Sequence, residues 1–232
     1  MKGYVITLRN STVSVGCATT AIKSSIQVGN TFDVEKYTAV TPEQVDSLMR
    51  QYKLKWTYPW DQPTVDFGSG MLLSPYETAD PKKRIACFLS HYQLWEHCVQ
   101  VNEPIFVFEH DAVFVRKVST DDLVRSNYKI IGLNNPIGAT RKSQVFHQMV
   151  QNSPLDIVPV PKIDDDKIPQ GLAGNSAYFI KPSGASKLIN LCRTYGAWPN
   201  DAIMCRQLMP SQLAVVKQYC TNLQAIQSTT TL

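Results

Sequence analysis

Short apolar runs along this chain alternate with stretches whose apolar residues recur every three or four positions. Strand-type and helix-type patterns in alternation predict an α/β fold built on a mixed sheet. Tyr4 to Leu8 predicts a buried strand. Val15 to Gln27 predicts a helix with Ala18, Ala21, Ile22 and Ile26 at helical spacing and Gly29 after it. Lys36 to Val40 predicts a second strand. Thr41-Pro42-Glu43-Gln44 combines an N-cap residue, a first-turn proline and an acid, and opens a helix to about Tyr52. Arg84 to Val101 is the clearest helix, with Ile85, Phe88, Leu89, Tyr92, Trp95 and Val99 along one face. Further strands are predicted to end at Glu109 and to span Tyr128 to Leu133, Asp156 to Val160 and Ala177 to Ile180. Pro182-Ser183-Gly184 opens a helix carrying Leu188, Ile189, Leu191 and Cys192, and Asn200 to Leu208 predicts one more. Lys53 to Asp80 has no period and reads as a long aromatic loop with Trp56, Tyr58 and Trp60, a type that often serves function. Gly138 to Gln170 is polar and mostly aperiodic, and the tail Ser228 to Leu232 reads as flexible chain or edge strand.

One of these strands ends in chemistry. Ile105-Phe106-Val107-Phe108 runs directly into Glu109-His110-Asp111, after which Ala112-Val113-Phe114 turns apolar again. Carboxylates do not belong beside a buried strand unless something binds them. In extended backbone alternate side chains share a face, which would put Glu109 and Asp111 together and His110 opposite. Two carboxylates at a strand end suit a hard divalent cation that keeps open positions for phosphate oxygens. A metal-assisted enzyme acting on a phosphorylated or nucleotide-activated substrate is the expectation.

Composition narrows this modestly. The chain has 232 residues, 44% hydrophobic and 18% charged, enough for a substantial core. A net charge of +4 fits an anionic small ligand or weak, peripheral attraction to an acidic membrane surface. A nucleic-acid binder would show a denser basic stripe than Lys82-Lys83-Arg84. None of the six cysteines has CxxC spacing, and Cys87 and Cys98 fall in an apolar helical pattern as packing residues. The apolar N-terminal run is short for a signal peptide, no segment has the length of a membrane span, and a reducing, cytoplasmic setting is expected.

Several blocks together resemble glycosyltransferase family 25, which includes bacterial lipooligosaccharide glycosyltransferases and the collagen galactosyltransferase group. Tyr4-Val5-Ile6-Thr7-Leu8 is similar to its first strand. Arg84 to His91, with Leu94-Trp95, is similar to its signature helix with a Leu-Ser-His step. Glu103-Pro104 leads into the acidic strand end, where the family has Glu-Asp-Asp. Gly174 to Tyr178, Gly184-Ala185 with Lys187-Leu188, Pro199-Asn200-Asp201 and Gln227-Ser228-Thr229 follow in the family's order. The resemblance implies a GT-A-like nucleotide-sugar-binding fold with a mixed, mainly parallel central sheet flanked by helices. It implies one domain over 1–232, with the donor and metal motif around 105–115 and acceptor-side elements over 136–205. It further implies an inverting hexosyltransferase, a nucleotide-sugar donor of UDP-hexose type, a glycan or other hydroxyl acceptor, and Mn²⁺ or Mg²⁺. The chain departs from the family at His110, which stands where the middle acid would be.

Candidate roles follow residue by residue. Glu109 and Asp111 are the metal pair, with Asp111 at the chemistry; the bland alternative is a turn with two solvated acids. Arg84, Ser90, His91, Glu109 and His110 are expected to line the donor. Arg84 would neutralise diphosphate charge, and His91 would orient an acid or contact phosphate. Asp201 is either a helix-start acid or the general base that deprotonates the acceptor hydroxyl. Asp164-Asp165-Asp166 is a hydrated loop or an alternative source of that base. Trp56, Tyr58 and Trp60 either form a satellite core or stack on a sugar or nucleotide base. Two other readings stand beside the enzyme: a non-catalytic glycan- or nucleotide-binding protein on the same fold, with His110 marking lost chemistry, and a metal-dependent nucleotidyltransferase.

Overall fold

The computed structural model describes residues 1–76 and 78–225. In chain order its elements are β1 (Gly3–Thr7), α1 (Thr12–Gln27), β2 (Val34–Thr38), a 3-10 turn (Pro42–Gln44) leading into α2 (Val45–Gln51), β3 (Thr64–Asp66), β4 (Met71–Leu73) and α3 (Pro81–Val101). There follow β5 (Ile105–Glu109), β6 (Ala112–Phe114), α4 (Thr120–Arg125), β7 (Ile130–Gly132), α5 (Ser143–Gln151), β8 (Ile157–Pro159), β9 (Ala177–Ile180), α6 (Pro182–Tyr195), α7 (Asn200–Ile203), β10 (Leu213–Val216) and β11 (Thr221–Leu223). Seven strands form one sheet in the order β2-β1-β5-β9-β7-β10-β8. β2, β1 and β5 are parallel neighbours, β9 runs antiparallel between β5 and β7, β10 is parallel to β7, and β8 is antiparallel to β10. Thus β2, β1, β5, β7 and β10 point one way and β9 and β8 the other, the mixed, mainly parallel sheet that was expected.

The core explains this arrangement. A strand covered on both faces needs apolar side chains at every position, and β5 supplies Ile-Phe-Val-Phe, all buried. Tyr4, Ile6, Ile105 and Val107 face one layer with α3 and α6, whereas Val5, Phe106 and Phe108 face another with Ala18 and Ala21 of α1. The two alanines leave room for the phenylalanine rings beneath α1. Helix α3 starts three residues before the expected Arg84, because Asp80 accepts from Lys82 N at 2.9 Å and Pro81 takes the first turn. It ends at Asn102, whose left-handed conformation (φ 52°) stops the helix. Its buried arc is wider than the apolar stripe, since Ser90 and His91 are buried as well, while Val99 is exposed.

Other expectations shift. β2 lies two residues earlier than Lys36, in register with all of β1. The aromatic loop contains the β3–β4 hairpin, whose strands pair with each other outside the main sheet. The aperiodic stretch after Gly138 contains α5, which buries Phe146 and Val150 but few other side chains. The helix expected over Asn200 to Leu208 is a four-residue turn, α7. The tail Ser228 to Leu232 and the Gln227-Ser228-Thr229 segment lie outside the described residues.

One close approach fixes the position of α7. A Cβ added to Gly171 would sit 2.7 Å from the Met204 carbonyl oxygen and 2.9 Å from that of Asp201. Gly171→Ala must therefore push α7 or its own loop aside. Such overpacking costs about 1–3 kcal/mol, and roughly 2–4 °C of Tm per kcal/mol is expected at this size. Scanning calorimetry should show the drop; an unchanged Tm would mean that the loop and α7 do not press together as described.

Candidate active site

Ligands of open α/β sheets bind beyond the carboxyl ends of parallel strands. Here the ends of β2, β1 and β5 open into a cavity of about 300 Å³. Ile6, Leu8, Ala39, Val40 and Pro42, at or just beyond the ends of β1 and β2, give it one apolar side. The other side is polar, with Arg84, His91, Glu109, His110, Asp111, Asn175 and Asp201. An apolar slot beside a charged pocket has room for a flat ring at one end and an anionic group at the other.

Glu109 closes β5 on the face that looks toward α3, and there it meets His91. The His91 ring is fully buried, and its Nε2 lies 3.4 Å from Glu109 Oε1. Its Nδ1 lies 2.9 Å from the Tyr178 hydroxyl, which also accepts the Trp95 indole N–H at 2.9 Å. The Tyr178 hydroxyl has one proton to give, and His91 Nδ1 is the acceptor within reach. His91 then carries its own proton on Nε2 and donates it to Glu109. Burial raises the Glu109 carboxyl, but the His91 hydrogen bond and the positive side chains that face it, Arg84 among them, outweigh it and hold the group below its usual range.

The strand alternation assumed for Glu109, His110 and Asp111 does not hold. β5 stops at Glu109, and His110 and Asp111 form a turn into β6, so all three side chains line the cavity. Gln224 holds this turn: its backbone N–H donates to Asp111 O at 2.7 Å and its side-chain amide to His110 O at 3.2 Å. Asp111 Oδ1 is buried without a hydrogen-bond partner. Burial and the Glu109 charge push its carboxyl up to about 7. Burial lowers His110 against the opposing Glu109 charge. Asn175, 5% exposed, lines the same cavity with both amide atoms unpartnered, and Arg84 Nε is unpartnered too. Orphaned polar atoms that converge on a cavity await a ligand. The sequence offered one hint of Asn175, its place just after Gly174.

The remaining candidates divide. Arg84 stacks over the Tyr76 ring, 4.0 Å from its centroid, with its guanidinium at the cavity. The Ser90 hydroxyl is spent on structure, donating to Ala86 O and accepting from Val40 N, both at 2.9 Å. Cys87, read as a packing residue, is half-buried and lines the cavity, as its place one turn before His91 dictates. Trp56 and Trp60 stack on each other at 5.0 Å with Trp56 against Phe88, and neither lines the cavities. Asp164 pairs with Lys142, and Asp166 with Lys162 and Arg206; these bonds hold both carboxyls below their usual values.

Asp201 is placed differently. It lines the first cavity and also a second hollow of about 340 Å³, and Tyr76 is the other side chain common to both. α7 is too short for a helix-dipole argument, so the surroundings set its charge. Asp201 is open to solvent within the cleft but walled by protein. That crowding raises its carboxyl, Arg84 opposes the rise and the Glu109 charge adds to it.

Two donor sets test the fit of a metal. Cys87 Sγ, a His91 nitrogen and a Glu109 oxygen lie within 4.8 Å of one another. This set suits a soft ion poorly, because both His91 nitrogens are engaged and burial raises the Cys87 thiol. The carboxylates of Glu109 and Asp111, one with an orphaned oxygen, suit a hard cation.

Fold and site together define an α/β protein with an acidic ligand cleft at the carboxyl ends of parallel strands. The sequence profile of glycosyltransferase family 25, described as LPS biosynthesis protein, matches residues 81–204, and the chain belongs to that family. Its sheet is accordingly GT-A-like. Among curated proteins no match was found. Among solved structures the chain is similar to mouse xyloside xylosyltransferase 1, apo form, at 10% identity, covering 93% of this chain and 84% of that one, with a TM-score of 0.47. An active-site mutant of LgtC shows 7% identity over 98% of this chain and 88% of that one, with a TM-score of 0.48. The glycosyltransferase GlyE of Streptococcus pneumoniae TIGR4 shows 12% identity over 93% and 45%, with a TM-score of 0.42. Among the described residues no helix is long and apolar enough to cross a membrane.

Two outcomes are expected. Tyr178→Phe removes the oxygen that serves both Trp95 and His91, and leaves buried groups unpaired. It should cost about 1–3 kcal/mol in a denaturant melt; a neutral change would break the chain of bonds described above. The second concerns pH. The folded Asp111 carboxyl, at about 7, lies above the unfolded value of about 3.9. Between these values the folded protein keeps a proton that the unfolded chain has lost, so this group's contribution to metal-free stability falls as pH rises and levels off above about 7. Asp111→Asn should remove most of that slope and be the more stable protein at neutral pH. Parallel pH–stability curves for the two proteins would show that Asp111 is not the strained group.

Proposed function

We propose that this chain transfers a hexose from a UDP-linked donor to a hydroxyl of a glycan or other acceptor, with inversion at the anomeric carbon and with the help of Mn²⁺ or Mg²⁺. Family membership supports glycosyl transfer in general. The observation that carries the specific reading is the position of Asp201 between a cavity with a carboxylate pair and a second hollow. A base for transfer must stand where donor and acceptor meet.

In this reading the donor diphosphate lies at the polar end of the first cavity and the nucleoside along Ile6, Leu8 and Val40. Glu109 and Asp111 would hold the cation, which supplies positive charge to the departing diphosphate. His91 keeps Glu109 ionised and oriented through its Nε2 proton. Arg84 adds a second positive charge to the diphosphate side. Asp201 accepts the proton of the acceptor hydroxyl, whose oxygen forms a bond to the anomeric carbon. The bond from that carbon to the phosphate oxygen breaks on the opposite face, and its electron pair leaves with the nucleoside diphosphate. A carboxyl raised above its usual value is a better proton acceptor than an ordinary surface acid. Asp164 and Asp166 are poorer bases, since each is tied to cations. The non-catalytic reading rests on His110, which stands where the family has an acid.

Activity against a panel of UDP-hexoses with Mn²⁺ tests this. Asp201→Asn should leave metal-dependent UDP affinity near wild type and cut transfer by roughly 10²–10⁴-fold. Loss of UDP binding in Asp201→Asn would move the residue to the donor site. Saturable UDP binding by the wild type without turnover of any donor would favour the non-catalytic protein.

A further inference from the structure

The second hollow has no occupant in the chemistry above beyond an unnamed acceptor. It holds about 340 Å³, room for one or two sugar rings, and meets the donor cavity at Tyr76 and Asp201. Phe146, buried on α5, and Tyr58 supply apolar wall, and Arg141 and Lys142 stand at the start of α5. The two cations are not equivalent. Lys142 is committed to Asp164, whose carboxylate also accepts the Asp165 N–H at 3.0 Å. Arg141 is exposed and makes no side-chain hydrogen bond or ion pair among the described residues. Asp164 and Asp201 are the acids of this lining, and Asp201 faces the donor cavity as well. Two cations beside one neutralised acid leave a positive edge around Arg141. The first turn of α5 holds no acid to offset it.

The wall that carries this edge is rigid. Gln170, buried, accepts from the N–H groups of Ile163 at 2.8 Å and Asp164 at 3.2 Å, and donates to Asp165 O at 2.9 Å. The next residue, Gly171, is pressed against α7, so the Asp164 loop and Asp201 keep a fixed relation. Arg141 feels the Asp164 charge but spends none of its N–H groups on it, and a planar guanidinium with its donors free at the edge of a fixed, partly aromatic hollow matches an oxyanion in shape and charge.

We infer that this hollow is the acceptor subsite of the transfer proposed above, on which the inference rests, and that it selects a sugar bearing an anionic group, carboxylate or phosphate. Arg141 grips the anion, the ring lies along the aromatic wall, and a hydroxyl reaches Asp201.

The test uses the full chain saturated with UDP and Mn²⁺, titrated calorimetrically with methyl glucoside, methyl glucuronide and glucose 6-phosphate. At least one anionic sugar should bind about tenfold or more tightly than methyl glucoside, and the stronger of the two identifies carboxylate or phosphate as the group recognised. Arg141→Gln should erase that preference while UDP affinity with Mn²⁺ stays unchanged. Equal affinity for all three sugars, no binding of any, or a preference that survives Arg141→Gln overturns the inference. A preference lost in Arg84→Gln but kept in Arg141→Gln also overturns it, because the anion then sits in the donor cavity. If UDP fails to bind with Mn²⁺ while the Arg141-dependent preference persists, the transfer reading falls and the hollow stands as an anionic-sugar site.

Discussion

A carboxylate at the end of a strand buried on both faces, open to the cavity over about a third of its side chain, needs a fixed donor on its protein side to stay ionised and oriented. In this protein the contact between Glu109 and His91 meets that demand, and much of the surrounding structure serves it. His91 can give its Nε2 proton to Glu109 because Tyr178 occupies Nδ1, and Tyr178 is in turn held by the Trp95 indole. The three elements involved, α3, β5 and β9, therefore have to keep their relative positions to within a hydrogen bond. The alternation of β1 and β5 between two apolar layers and the packing of α3 and α6 over one of them provide that rigidity.

Around this fixed carboxylate the site keeps groups that an optimally stable protein would pair. Asp111 Oδ1, Arg84 Nε and the Asn175 amide are unpartnered beside the same cavity. Each is a cost to folding that a bound cation and diphosphate would relieve, which is the usual relation between stability and function at a binding site. The acids farther along the chain behave in the opposite way. Asp164 and Asp166 are tied to lysines and an arginine, and only Asp164 of the two lines the second hollow. Asp201, between the two cavities, is neither tied to a cation nor buried within a core.

Much of this was legible in the residue pattern because the decisive elements are strongly apolar. β5, β9, α3 and α6 announce themselves by runs or stripes of buried side chains, and the acidic end of β5 stands out against that background. What escaped had a weak pattern for a physical reason. α5 buries few side chains, and β3 and β4 pair outside the main sheet, so neither carries a full hydrophobic period. The helix expected after Pro199 fails after one turn, where Met204 leaves the helical conformation (φ −83°, ψ 63°) although apolar residues continue beyond it. The Glu109-His110-Asp111 face was misjudged because alternation presumes a strand, and Gln224, more than a hundred residues away in sequence, bends the chain there. Asn175 and the shared position of Asp201 depend on tertiary proximity that no local spacing encodes.

The central claim is that the two acids at the end of β5 hold a hard cation against the donor diphosphate. A crystal structure of the protein with UDP and Mn²⁺ tests it most directly. The account predicts the ion on carboxylate oxygens of Glu109 and Asp111, the diphosphate beside Arg84, and the uridine along Ile6, Leu8 and Val40. An ion ligated by Cys87 and His91, or a diphosphate bound outside this cavity, would contradict it.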